Sequence, residues 1–482
     1  MRKFSTRNRW APGGTVALLA GAALSLSAGA AESSDKLLDL LIKKGVLTDK
    51  EAADVKTEAD KTAAASGASK WKINSGIKSI ELFGDARFRY EYRGAETSQN
   101  DSAARERSRY ALRLGLRGNL TDDFYYGLRL ETGPGNRSPW VTFGDQSVGA
   151  GPSNKGSAGI NLGQVYVGWK PTDWVDLTIG KMPNPLYVTS MVWDGDINPE
   201  GASEKFKYTV GNFELFASFG QFVYQDVNPD NPAVGSGFGT LNKNFGDTFL
   251  LAWQFGGSVK FGKDMSFKFA PTVYNYVGHV YKNGPVPLNG FDTPFTGKGL
   301  PTGANNAAFQ TGINNLTIVD FPMEFNFGIN KTPLGDLKGR IFGDFAMNVD
   351  AKDRAKNAGF PKQDGEDKAY QIGVAVGTLG LTSGQTAKKG GWEARTYWQH
   401  VEQYSLDPNL LDSDWFEGRA NLEGFFAAFA YGITDNITAT VRYGMADRIN
   451  SKLGTGGNNN DLPALNPIRK YQILQLDLGY KF

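Results

Sequence analysis

Three groups of residues in this chain could do chemistry. The first is Asp194-Gly195-Asp196-Ile197-Asn198, whose spaced side-chain oxygens match the opening of a calcium loop, since a hard cation takes several oxygen ligands. The match ends at Pro199, which replaces the glycine of the sharp turn, and at Lys205, which stands where a bidentate glutamate closes the coordination shell. No metal or other cofactor is therefore expected. The second group is the two histidines, His279 and His400. A nucleophile usually needs a base beside it, most often histidine. Neither of these has a serine and an acid at a recognisable spacing, so an enzyme is not expected. The chain has no cysteine, which removes a thiol nucleophile, a disulfide framework and a lipid anchor near the N-terminus. The third group is the arginines Arg87, Arg89, Arg107, Arg109, Arg113 and Arg129. Guanidinium groups keep their charge at any working pH and hold carboxylates or phosphates in two-pronged hydrogen bonds.

The elements that position these arginines have a period of two. Ile80, Leu82, Ala86, Phe88, Tyr90 and Tyr92 alternate with Glu81, Asp85, Arg87, Arg89, Glu91 and Arg93. Tyr110, Leu112, Leu114 and Leu116 alternate with Arg105, Arg107, Arg109, Arg113 and Arg117. Successive side chains of a strand point to opposite faces, so each segment has one apolar and one charged face. A soluble sandwich could show the same pattern, so the turns must decide.

About sixteen candidate strands lie near 80–93, 105–119, 123–132, 160–170, 174–181, 202–210, 213–221 and 248–261, then 265–276, 316–331, 337–349, 368–377, 391–404, 420–433, 437–447 and 469–482. Most reach the roughly 9 to 11 residues of a tilted membrane strand. Tight connections such as Thr121-Asp122-Asp123, Gly211-Asn212 and Thr434-Asp435-Asn436 interleave with long polar ones at 132–159, 182–201, 222–247, 277–315 and 448–468. The connection at 378–390 is the long exception on the short-turn side. Short turns on one side and long loops on the other predict a transmembrane antiparallel β-barrel, closed because unpaired backbone groups cannot face lipid. Phe124, Tyr126, Trp169, Trp174, Phe261, Phe267 and Tyr431 stand where strands meet tight turns, as an interfacial girdle requires. The segment 420–433 is apolar on both faces, which fits a subunit contact.

Before the barrel, residues 1–31 read as a secretory signal. They hold a basic start (Arg2, Lys3, Arg7, Arg9), an apolar stretch from Val16 to Leu26 that is too short to span a bilayer, and Ala28-Gly29-Ala30 for cleavage. Residues 32–69 read as a short periplasmic helical extension and linker: Leu37, Leu38, Leu41 and Ile42 share a helical face, and Thr48 with Glu51 has capping-box spacing. The barrel is assigned to 70–482. Its 52 basic and 50 acidic residues give no sign of a nucleic-acid partner.

The last twelve residues, Tyr471 to Phe482, carry apolar side chains at every second position back from the terminal phenylalanine. This resembles the closing-strand signal that bacterial outer-membrane proteins show to the barrel-assembly machinery. Leu37 to Lys56, together with Asp412-Ser413-Asp414-Trp415, Asn421 to Tyr431 and Thr434-Asp435-Asn436, is similar to segments of the large bacterial outer-membrane porins. That resemblance implies a general-porin-like barrel, a homotrimer in the outer membrane, and passive diffusion of small hydrophilic solutes and ions.

If the apolar faces meet lipid, the charged faces line a water-filled lumen. The loop from Met182 to Ala202 follows the fifth strand, the place where the resemblance implies a loop folded inward, and it brings Asp194, Asp196 and Glu200. These acids facing Arg87, Arg89, Arg107, Arg109, Arg113 and Arg129 would set up a transverse field that orients dipolar solutes. A wall of one sign fits an anion-favouring pore equally well. The plainer alternative pairs the arginines with Glu81, Asp85, Glu91 and Glu106, so that they only stiffen the wall. An oxyanion-selective channel and a surface adhesin built on the long loops are the competing functions.

Overall fold

The computed structural model describes residue 43 and residues 76–97, 100, 102–133, 138–144, 159–225, 248–278, 315–357, 360–380, 385–455, 462 and 467–482. The expected signal peptide, nearly all of the helical extension and His279 lie outside the described residues. The chain divides at Ser75/Gly76 into two units, and the described strands all belong to the second, Gly76–Phe482.

That unit is all-β. In order come β1 (Glu81–Thr97), β2 (Ser102–Asn119), β3 (Phe124–Thr132), β4 (Val141–Thr142), β5 (Ile160–Thr172), β6 (Val175–Lys181), β7 (Glu200–Val210), β8 (Phe213–Gln225), β9 (Thr248–Phe261) and β10 (Met265–Phe269). After them come β11 (Thr272–Gly278), β12 (Thr317–Asp320), β13 (Met323–Thr332), β14 (Gly335–Asn348), a short helix α1 (Ala351–Asn357), β15 (Lys368–Gly377), β16 (Trp392–Val401), β17 (Leu422–Gly432), β18 (Ile437–Arg448) and β19 (Ile468–Lys481). β1 pairs with both β2 and β19, so the sheet closes on itself.

The wall has sixteen staves, as the turn spacing predicts. β10 and β11 are halves of one stave, interrupted at Ala270-Pro271, and β12 and β13 are halves of the next, interrupted at Phe321-Pro322. Proline has no N–H for the ladder, but its carbonyl still accepts. Phe255 N–H donates to the Pro271 carbonyl at 3.0 Å, and Ala270 N–H to that of Pro322 at 3.1 Å. β4 takes over the pairing with β2 where β3 stops.

Polarity is inverted relative to a soluble protein. Leu82, Phe88, Leu112, Leu114, Leu128 and Leu130 are exposed on the outer face, while Arg89, Glu91 and Arg93 inside are 3%, 0% and 1% exposed. The structure is that of a membrane-embedded barrel, its apolar surface turned to lipid. At the short-turn end Phe124 stacks on Trp169 with ring centroids 5.7 Å apart, and the indole N–H of Trp169 donates to Asp123 at 2.9 Å. Rings with an apolar body and a polar tip suit that depth.

The two-sided apolar stretch near 420–433 becomes β17, and its faces have different neighbours. Phe425, Phe429 and Tyr431 point outward, while Leu422, Phe426, Ala428 and Ala430 are buried inside. Their inner cover is a segment of the chain itself. The connection between β16 and β17 folds into the barrel, and its Trp415 and Phe416 pack against Leu422 and Phe426.

Candidate functional site

β1, β2 and β3 set the predicted arginines on one inner wall through their register: Arg89 lies opposite Arg109, Glu91 opposite Arg107, Asp85 opposite Arg113, and Arg113 opposite Glu131. Each arginine faces a carboxylate within its own neighbourhood. Glu91 has Arg107 at 2.5 Å, Arg93 at 3.0 Å, and both Arg89 and Arg109 at 3.8 Å. Arg87 pairs with Asp85 at 2.9 Å and Arg129 with Glu131 at 2.9 Å. Arg89 makes two-pronged contacts to Asp414 (2.6 and 3.1 Å) and Asp477 (2.7 and 2.9 Å).

Two loops supply the remaining partners by crossing the lumen. Residues 182–199, between β6 and β7, fold inward with Met182, Met191, Val192 and Trp193 buried. Tyr187 exchanges two 2.8 Å hydrogen bonds with the Gln254 side chain on β9, Thr189 donates to Asp344 on β14, and Asp196 pairs with Arg113 on β2. Residues 402–421 form the second infolded loop. Tyr224 and Tyr276 donate to Asp407 at 2.8 and 2.7 Å, which anchors the loop on β8 and β11. The loops also hold each other: Asp194 N–H donates to the Leu410 carbonyl at 2.6 Å, and Ser413 N–H to Asp194 Oδ2 at 3.1 Å.

Of the acids named from sequence, Asp196 reaches the arginine wall, and Asp194 instead ties the two loops together. Glu200 joins neither. It sits on the outward parity of β7, opposite Lys181, to which it pairs at 2.9 Å. A two-residue pleat decides this, because Ile179 beside Lys181 points outward at 66% exposure. The calcium-like loop is also spent internally: Asp194 Oδ1 accepts from Asp196 N–H at 2.9 Å, and Asn198 accepts from Gln164 at 2.8 Å. His400 lies on the outward parity of β16, stacked on Tyr370 and 2.8 Å from Glu423.

Sequence reasoning missed two parts of this arrangement. Trp140, from a stretch read as a polar loop, lies against three guanidinium groups, with Arg89, Arg87 and Arg109 at 4.3, 5.0 and 5.7 Å from its ring. The arginines are thus screened by an aromatic face as well as paired. The second part is the 402–421 loop with Asp412 and Asp414. Burial pushes the Asp412 carboxyl well above the usual range, and neighbouring Asp194 and Asp414 push the same way. Burial opposes ionisation of Asp414 too, but Arg89, hydrogen-bonded to it, holds it below that range.

Opposite consequences follow for stability. A raised folded pKa gives Asp412 a contribution that is complete below its unfolded value and lost as pH rises through the folded one. A lowered pKa gives Asp414 a contribution that is present above its unfolded value and lost as pH falls through the folded one. Asp412→Asn is expected to leave stability at neutral pH unchanged or raised, and Asp414→Asn to lower it. Urea-gradient unfolding in detergent micelles at neutral and acid pH checks this, and equal losses in the two variants would contradict it.

Beyond the arginine wall, a cavity of about 960 Å³ lies beneath the 182–199 loop and reaches the short-turn end at Gly262-Lys263-Asp264 and Leu379-Gly380. Its lining mixes Glu324, Asn326, Lys338, Arg340, Gln371 and Arg395, so it suits water and polar solutes.

A family model described as "Putative porin" matches residues 93–285 and 324–482. The chain belongs to this porin family. No protein of curated function matches this porin in sequence. Among solved structures, two engineered variants of the Rhodopseudomonas blastica porin align with 84% of this chain and 100% of theirs, at 10% identity and a TM-score of 0.38. A third structure, described as "Asymmetric conductivity of engineered proteins", aligns over the same shares at 10% identity and a TM-score of 0.37.

Proposed function

We propose that this porin is an outer-membrane diffusion channel that passes small hydrophilic solutes and ions without catalysis. The polar cavity between the 182–199 loop and the β9–β16 side of the wall is the observation that carries this reading. The nine predicted pore residues divide accordingly. Arg87, Arg89, Arg107, Arg109, Arg113 and Arg129 form a charge-compensated wall, Asp194 and Asp196 fasten the inner loop to its neighbours, and Glu200 belongs to the outer surface.

A homotrimer fits one feature of that outer surface. Glu204 and Gln221 hydrogen-bond at 2.9 Å on the outward parity, close to the Lys181–Glu200 pair and beside apolar Ile179 and Phe206. Charged groups facing lipid are costly, so a second subunit over this patch relieves the cost. The barrel-assembly machinery and outer-membrane lipid are the remaining partners.

Single-channel recording of the refolded protein in a planar bilayer tests the proposal. A steady, ohmic step, rising linearly with salt concentration, is expected. A folded, inserted protein that passes no current would overturn it.

A further inference from the structure

Away from the arginine ladder, β14 and β16 carry positive charge that has no tight carboxylate partner among the described residues. Three strands build this part of the wall symmetrically. Arg340 on β14 and Arg395 on β16 both pair in register with Ala375 on β15, and one pleat away Phe342 and Tyr397 both pair with Gly373. β14 and β16 flank β15, so the two arginine Cα atoms stand about 10 Å apart by the interstrand spacing. The inward positions between them, Gly373, Ala375 and Gly377, carry a methyl group at most. A side chain at Gly373 would run into the Phe342 ring, so the small residues are what let the flanking groups close over β15.

Each guanidinium rests on the ring two residues along its own strand: Arg340 is 5.0 Å from the Phe342 centroid and Arg395 is 5.3 Å from that of Tyr397. The two rings lie 6.3 Å apart and are themselves buried. Both arginines line the cavity. Among the described residues, the carboxylate contacts of Arg340 are long, Glu393 at 3.6 Å and Glu324 at 3.9 Å. Arg395 forms no ion pair within 4.0 Å among the described residues, and its buried Nε has no hydrogen-bond partner among them. Lys260, Lys263 and Lys338 add to the same cavity, where five cationic side chains face three carboxylates.

We infer that Arg340 and Arg395 form a binding site for a small oxyanion, carboxylate or phosphate, seated over Ala375 within the cavity. The inference rests on the channel reading and adds a stopping place to it. A guanidinium fork matches the two oxygens of such an anion, and two forks from opposite sides fix its position. A side chain larger than that of Ala375 would fill the space that the anion takes.

The test is block of chloride current through the wild-type channel by inorganic phosphate and, separately, by succinate. Saturable block is expected, with the half-blocking concentration raised about tenfold for each arginine replaced, in Arg395→Gln and in Arg340→Gln/Arg395→Gln, because each loses charge-assisted hydrogen bonds. Arg395→Lys keeps the charge and loses the fork, so it is expected to fall between wild type and Arg395→Gln, and it serves if the double variant fails to fold. A conducting channel that neither anion blocks, or block that is unchanged in Arg395→Gln, overturns the site and leaves the channel reading intact. If the wild type passes no current, the channel reading fails instead. Equilibrium dialysis of the folded protein with labelled phosphate then decides the site separately, with binding weakened in Arg395→Gln upholding it and no binding overturning it.

Discussion

Replacing residues 408–418 by a short glycine-serine bridge is expected to raise single-channel conductance severalfold. That segment carries Leu410, Leu411, Trp415 and Phe416, all buried inside the barrel. It meets the 182–199 loop through the Asp194–Leu410 hydrogen bond, so both loops obstruct the same part of the lumen. Asp407, held by Tyr224 and Tyr276, stays in place and keeps the approach to the segment anchored. Trp415→Ala is the milder companion. It is expected to cost about 3–5 kcal/mol of stability, as large-to-small changes of buried aromatic residues do, with a smaller gain in current. Planar-bilayer recording reads the first outcome and denaturant unfolding the second. Unchanged conductance on removing 408–418 would show that the current takes a route that the loop does not control.

The second large effect concerns Glu91. One carboxylate, 0% exposed, is surrounded by Arg89, Arg93, Arg107 and Arg109. Glu91→Gln leaves that many guanidinium groups around a neutral amide. Removing one partner of a buried ion pair typically costs about 3–5 kcal/mol, because the charges left behind remain out of water. The loss is expected at the top of that range, read as a lower urea midpoint in micelles. Arg107→Gln in the Glu91→Gln background is expected to recover part of it. A loss below about 1 kcal/mol, the range of exposed pairs, would show that water reaches Glu91.

The wall was legible in the sequence because a strand writes its two environments into alternate residues. Leu112, Leu114 and Leu116 could face only lipid once Arg109 and Arg113 faced inward. The count of staves survived two prolines, Pro271 and Pro322, because the apolar alternation continues on both sides of each break. What the arginines touch was not legible. Asp85 and Glu91 lie on their own strand, but Asp414 and Asp477 are more than three hundred positions from Arg89, and no local pattern connects them. Glu200 was misplaced because the strand it opens begins right after an irregular loop, where parity has no earlier residue to fix it. The second infolded loop did leave a trace. A strand with two apolar faces, and the pairs Leu410-Leu411 and Trp415-Phe416 in a polar stretch, are what a loop packed against its own barrel requires. Without the fold, the same features fit a subunit contact. Arg340 and Arg395 were overlooked because neither has an arginine neighbour along the chain, and only the register across β15 brings them together.

The seam between β1 and β19 has a consequence for how the protein forms and lasts. Every other stave pairs with its neighbour along the chain, while Arg89 and Asp477 clasp residues 388 positions apart. Closing a flexible loop of that length costs roughly 5 kcal/mol plus a constant, against far less for each hairpin. Hairpins are therefore expected to zip first and the ring to shut last, and the Arg89–Asp477 clasp is expected to contribute little to the speed of assembly. Opening runs the other way: an interaction made after the rate-limiting step acts on the rate of unfolding. The clasp is thus a determinant of lifetime, and weakening it shortens the half-life of the closed ring more than it slows its formation.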